Sequence, residues 1–153
     1  MTLESGIQRA LKSAKAVARG RKAKILNGTK RFDLLVWNHN ETPRVAIEVK
    51  SPVYNLTNGL SKDVDRLKRT LLIKKDKSSL KYAVLAMYAR VPLPKKNHAR
   101  PRNWLAEKME KFSERFTKSH GSDTVKVTFH KGAIHVVKDE GAWVACCVLV
   151  ERK

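Results

Sequence analysis

Acidic residues are scarce in this chain: 14 Asp and Glu stand against 33 Lys and Arg, for a formal net charge of +19 and a pI near 10.3. An excess of that size makes the compact state repel itself, so a polyanion is the expected partner; an anionic membrane surface or plain solubility are the blander readings. Cysteine is almost missing too. Cys146 and Cys147 are adjacent, so a strand sends them to opposite faces, and no CxxC pair exists for zinc. Both read as reduced packing residues, which fits an intracellular, cytoplasmic protein. Long apolar runs are absent. The longest, Ala142 to Val150, has nine residues, against roughly 20 for a bilayer span, and the N-terminus lacks the apolar core of a secretory signal, so no membrane association is expected. Aromatic residues make up only 7%. They are not interleaved with basic residues, which argues against a dedicated single-strand reader. A Gly-rich phosphate loop, a nucleophile elbow and a kinase signature are all missing.

What is present reads as one domain over residues 1–153, with 42% hydrophobic residues to fill a core. Leu3, Ile7, Leu11 and Ala14 share a helical face, predicting a helix from about Thr2 to Arg19; Ser5 and Gln8 have capping-box spacing and offer a later start. A short strand near Lys24 to Leu26 and an Asn27-Gly28 turn follow. Strands are predicted at Phe32–Trp37 and Arg44–Lys50, then a helix from about Ser61 to Lys75 with Leu60, Val64, Leu67 and Leu71 as its buried stripe. Tyr82 to Val91 reads as a buried strand stopped by Pro92 and Pro94. A second amphipathic helix carries Leu105, Met109, Phe112 and Phe116, and three strands close the chain at Thr124–His130, Ala133–Lys138 and Ala142–Val150. The predicted class is α/β, a mixed sheet flanked by helices.

The hairpin over residues 32–50 carries the chemistry. Alternation puts Val45, Ile47 and Val49 on one face of its second strand and Glu48 and Lys50 on the other. Symmetric pairing about Asn40 and Glu41 sets Trp37 opposite Arg44 and Asp33 opposite Glu48. Directly opposed carboxylates destabilise a sheet. Lys50 supplies part of the compensating charge, and a hard divalent cation, which takes oxygen ligands and keeps waters, would supply the rest.

Phe32-Asp33-Leu34-Leu35 followed by Val45-Ala46-Ile47-Glu48-Val49-Lys50 resembles the Asp…Glu-x-Lys signature of the PD-(D/E)XK nucleases. Phe32 stands where the nominal Pro precedes the Asp. The resemblance covers about residues 1–91, whose predicted order is similar to that superfamily's α-β-β-β-α-β core; residues 92–153 would be elaboration. It implies a restriction-endonuclease-like fold and an Mg²⁺- or Mn²⁺-dependent phosphodiesterase, most simply an endonuclease on DNA. Asp33 and Glu48 would ligate the metal with the Val49 carbonyl, and Lys50 would position or deprotonate the attacking water or stabilise phosphate charge. Many members add a Glu from the first helix. Glu4 is the only acid there, and reads equally as an N-terminal charge favoured by the helix dipole. Junction resolvases, which act as homodimers, are a subclass alternative on size and charge alone. The rival from another class is a non-catalytic nucleic-acid-binding protein on the same fold.

Further phosphate contacts are expected from the basic N-terminal helix (Lys12, Arg19), from the helix after the hairpin (Arg66, Arg69) and from the basic loop Lys95, Lys96, Arg100 and Arg102. For Arg66 and Arg69 the alternative is a solvated face paired with Asp63 or Asp65; for the loop it is a soluble connector. His130 and His135 lack a third ligand and read as surface strand residues.

Overall fold

The computed structural model describes residues 2–15, 31–55, 57–73, 77–92 and 100–153, with the backbone alone for residues 2–8 and 119. Its elements follow in the order β1 (Thr2–Gly6), α1 (Ile7–Ser13), β2 (Arg31–Trp37), β3 (Pro43–Val53), α2 (Asn58–Leu72), β4 (Tyr82–Val91), α3 (Pro101–His120), β5 (Val125–Lys131), β6 (His135–Val137) and β7 (Gly141–Arg152). The strands form one mixed sheet in the order β1-β2-β3-β4-β7-β5, with β6 also beside β7. Only β3 and β4 pair in parallel, and α2 makes the crossover that such a pair requires.

Strand alternation explains where the core sits. Ala83, Leu85, Met87, Ala89 and Val91 of β4 are buried, and so are Ala142, Val144, Cys146, Val148 and Val150 of β7. Their register carries one row across the sheet: Glu48 beside Leu85, Leu85 beside Val148, Val148 beside Phe129. At one end of that row Glu48 meets Arg66 of α2; at the other Phe129 stacks on Phe116 of α3 with ring centroids 6.4 Å apart. Both helices therefore cover the same face. The predicted stripes, Leu60, Val64, Leu67 and Leu71 on α2 and Leu105, Met109, Phe112 and Phe116 on α3, are all buried, and each such side chain stabilises the fold by roughly 1.5–3 kcal/mol. No helix among the described residues is long and apolar enough to cross a membrane.

Several boundaries differ from the sequence expectation. Residues 2–6 are a strand, not the first turns of a helix, because pairing with β2 satisfies their backbone and overrides a weak helical period. Only residues 7–13 are helical there, burying Ala10, Leu11 and, just beyond, Ala14. The strand expected at 24–26 lies outside the described residues. α2 starts at Asn58, a turn before Ser61, with the Thr57 hydroxyl accepting from the Leu60 N–H at 3.3 Å. β3 continues through Pro52 to Val53. Trp37 pairs with Pro43 and not Arg44, since the ladder shifts between Val36 and Trp37 where the 38–42 loop closes on itself through Asn38 N–H to Thr42 O (2.8 Å). The adjacent thiols are free, and burial pushes Cys146 up to about 11, so it packs as a neutral side chain.

The turn into β7 depends on one glycine. Gly141 has φ +114°, and a Cβ there would sit 2.1 Å from the Val91 carbonyl oxygen, a rigid backbone atom. Gly141→Ala is expected to destabilise the protein by about 2 kcal/mol or more. Urea unfolding would show this as a lower midpoint; an unchanged midpoint would refute the requirement.

Candidate active site

The β2–β3 ladder pairs Leu35 with Ala46 and Leu34 with Ile47 and ends there; continuing that register one step would set Asp33 across from Glu48. At that point the Asp33 carboxylate takes over as acceptor: the Val49 N–H donates to its Oδ2 at 2.6 Å. Glu48 faces inward under α2 and is only 6% exposed. A carboxylate so placed must be paired or protonated.

α2 provides the partner. Arg66, itself 6% exposed, donates from Nη2 to Glu48 Oε1, and the same nitrogen lies 3.2 Å from Asp63 Oδ1. Lys50 Nζ is 3.4 Å from Asp63 Oδ2 and 3.8 Å from Glu48 Oε1, with its side chain 37% exposed. Asp63, Arg66 and Thr70 recur at helical spacing along one border of α2's apolar stripe, and the buried Thr70 hydroxyl donates back to Arg66 O at 2.9 Å. Three carboxylates (Asp33, Glu48, Asp63) against two cations (Lys50, Arg66) leave one formal negative charge in a chain of +19.

Burial raises the Glu48 carboxyl above its ordinary 4.5; Arg66 opposes this, Asp33 adds to it, and Lys50 opposes it more weakly. The folded state thus keeps a proton at pH values where the unfolded chain has lost it. Between 4.5 and the raised folded value, this group makes stability fall as pH rises.

Two features bear on a cation. Glu48 Oε2 is buried with no hydrogen-bond partner, and Asp33 offers carboxylate oxygen from the opposed position. That donor set fits a hard divalent ion completed by water, which needs only one or two carboxylates. A ready-made cage of three or more His, Cys, Asp or Glu side chains is absent among the described residues. Glu4 lies in β1, not in a helix, and the β1–β2 register (Leu3 with Leu34, Ser5 with Phe32) sets it across from Asp33. It is a third acid on neighbouring strands by backbone placement.

The remaining predicted contacts scatter. Arg66 does not lie on an open helix face: it is buried, its Nη2 meets both Glu48 and Asp63 while its Nε is buried without a partner, so the phosphate contact expected of it gives way to a buried counter-ion role. Arg69 is exposed on α2, Lys12 is exposed on α1, and Arg100 and Arg102 are exposed at the start of α3. Arg19, Lys95 and Lys96 lie outside the described residues. Val49 joins Asp33 through its N–H, and its side chain is 43% exposed on the far face. Asp65 turns to His120 Nδ1 at 3.0 Å, tying α2 to the end of α3. The Arg66–Asp63 pair was among the sequence alternatives; its burial against Glu48 and the contact of Asp63 with Lys50 are what sequence reasoning missed. Their signal was the i, i+3 acid–base pair bordering an apolar stripe, read as solvent-facing.

The chain matches no family model, and no curated protein or solved structure is significantly similar to it.

Removing Arg66 while Glu48 stays would strand a buried charge. Arg66→Leu should cost about 3 kcal/mol or more, and Glu48→Gln in that background should recover most of it. Additive losses in a urea-denaturation double-mutant cycle would exclude the pairing as a stabilising contact.

Proposed function

We propose that the protein is a divalent-metal-dependent nuclease, most simply an endodeoxyribonuclease on a restriction-endonuclease-like fold. The observation that carries this reading is the buried, half-unpartnered Glu48 facing Asp33 on a hairpin, with Lys50 on the same side. The β2–β3 hairpin leading through α2 into a strand parallel to β3 supports the fold comparison; β1 preceding α1 departs from the expected order. The net charge of +19 supports a polyanionic substrate.

Asp33 and Glu48 would hold the ion, with Glu4 at the adjoining register position. Bound there, the ion would offset charge developing on the phosphate. Lys50 is the cation of the site that reaches solvent, so its ammonium can orient an attacking water or donate to a phosphate oxygen. Asp63 holds Lys50 from α2, and Arg66 restrains Glu48 so that one oxygen stays free.

A non-catalytic nucleic-acid-binding protein is the second reading, and Arg66 favours it, because its guanidinium already neutralises Glu48 without metal. Incubation with plasmid, linear duplex, branched DNA and RNA, with and without Mg²⁺ or Mn²⁺, separates the two. Asp33→Ala, Lys50→Ala and the isosteric Glu48→Gln, which keeps an oxygen for Arg66, should each lower metal-dependent cleavage about a hundredfold or more, with circular dichroism checking that the fold is retained. Wild-type cleavage rates in all three would remove the nuclease assignment.

Proton and metal compete for Glu48, whose raised pKa leaves it protonated in acid. Calorimetric Mg²⁺ affinity should therefore strengthen as pH rises through the raised Glu48 pKa and stay weak throughout in Glu48→Gln. An affinity indifferent to pH would show that the ion binds elsewhere.

A further inference from the structure

We infer that α3 carries a binding ridge for single-stranded nucleic acid, ending in the exposed indole of Trp104. The polymer class rests on the nucleic-acid reading above; the ridge itself rests on separate observations. At 100° per residue, Trp104, Lys108, Lys111, Arg115 and Lys118 fall within about 80° of one another around α3. All are exposed except Lys108, which is half-buried. Leu105, Met109, Phe112 and Phe116 take the adjoining arc toward the core, while Glu107, Glu110 and Glu114 gather on the other side of the ridge. Lys111 and Arg115 have no carboxylate partner among the described residues, and the Lys118–Glu114 pair, at 4.0 Å and largely solvated, is weak. The ridge runs about 21 Å from Trp104 to Lys118.

The exposed indole is what points to unpaired bases. Trp104 is 40% exposed in a chain with few aromatics. Lys108 holds it beside β3: its ammonium donates to the Tyr54 backbone carbonyl, just past that strand, and lies 5.5 Å from the Trp104 ring centroid. Desolvation lowers the Lys108 pKa, as expected for an amine held against protein. The ring is thereby pinned at the end of a row of cations, next to the strand that carries Glu48 and Lys50. A duplex keeps its base faces stacked inside and gives such rings nothing to pack on, whereas an unpaired base offers a π-face to the ring and its phosphates to the ridge. An anionic lipid surface could use the cations and an interfacial indole as well, so vesicles are one arm of the test.

The test is binding in EDTA, where turnover cannot contribute, so a failure to cleave nucleic acid leaves its outcome unaffected. An oligothymidylate of about 15 nucleotides, the matching duplex and phosphatidylserine vesicles are titrated at several salt concentrations. The single strand should bind most tightly and quench tryptophan emission. Trp104→Phe should remove that quench, with Trp37 and Trp143 still reporting a folded protein. The triple variant Lys111→Gln, Arg115→Gln, Lys118→Gln, confined to exposed positions, should weaken single-strand binding about tenfold or more and flatten the salt dependence by about 2 in log–log slope. Wild-type affinity in the triple variant, a quench that survives Trp104→Phe, or a preference for duplex or vesicles would each overturn the inference.

Discussion

One buried carboxylate organises the region between β3 and α2. Glu48 sits under the helix, where an unpaired charge costs several kcal/mol, and Arg66 is the group that makes its burial tolerable. Apolar packing alone fixes the distance between a helix and a sheet better than the helix's rotation about its own axis. The ion pair supplies that missing restraint: a one-residue twist of α2 would swing Arg66 through about 100°, away from Glu48. Asp63 and Lys50 extend the constraint, since Asp63 touches both cations. The rotation of α2, the inward aim of Glu48 and the placement of Lys50 at the solvent margin are consequences of the same contact.

Local and global electrostatics point in opposite directions. The chain as a whole attracts polyanions, but the site holds more carboxylates than cations and by itself would repel a phosphate. The overall positive field would draw a polyanion toward the surface at long range, and its close approach would need further positive charge at the acids. The free oxygen of Glu48 and the opposed Asp33 mark where that charge would be held. The same feature explains why burial, not any neighbouring ion, is the largest influence on the Glu48 proton.

Much of the hairpin was legible because strand geometry is periodic. A loop centre between Asn40 and Glu41 predicts the register that Leu34–Ile47 and Leu35–Ala46 keep, and the shift at Trp37 alters only the pairs nearest the loop. The stripes of α2 and α3 were legible for the same reason. Residues 2–6 were not. They pair with a strand some thirty positions later, and nothing local in Thr2 to Gly6 distinguishes an edge strand from a helix start. That error had a cost at the site, because it set Glu4 on a helix when its place is on a strand beside Asp33. Arg66 was misread because propensity and charge treat every arginine as solvent-seeking, and only the position of Glu48 in space turns this one inward.

Lys108 connects the two surfaces that the sequence keeps apart. Tyr54 lies four residues beyond Lys50, at most about 13 Å along the chain, or roughly four nucleotide steps at the 3.4 Å spacing of a stacked strand. By binding the Tyr54 carbonyl, Lys108 fixes α3 to the end of the strand that bears Glu48 and Lys50. A polymer lying along α3 with a base on Trp104 would then pass the end of the strand that bears the acids, because the ammonium that faces the ring also holds the carbonyl just past that strand.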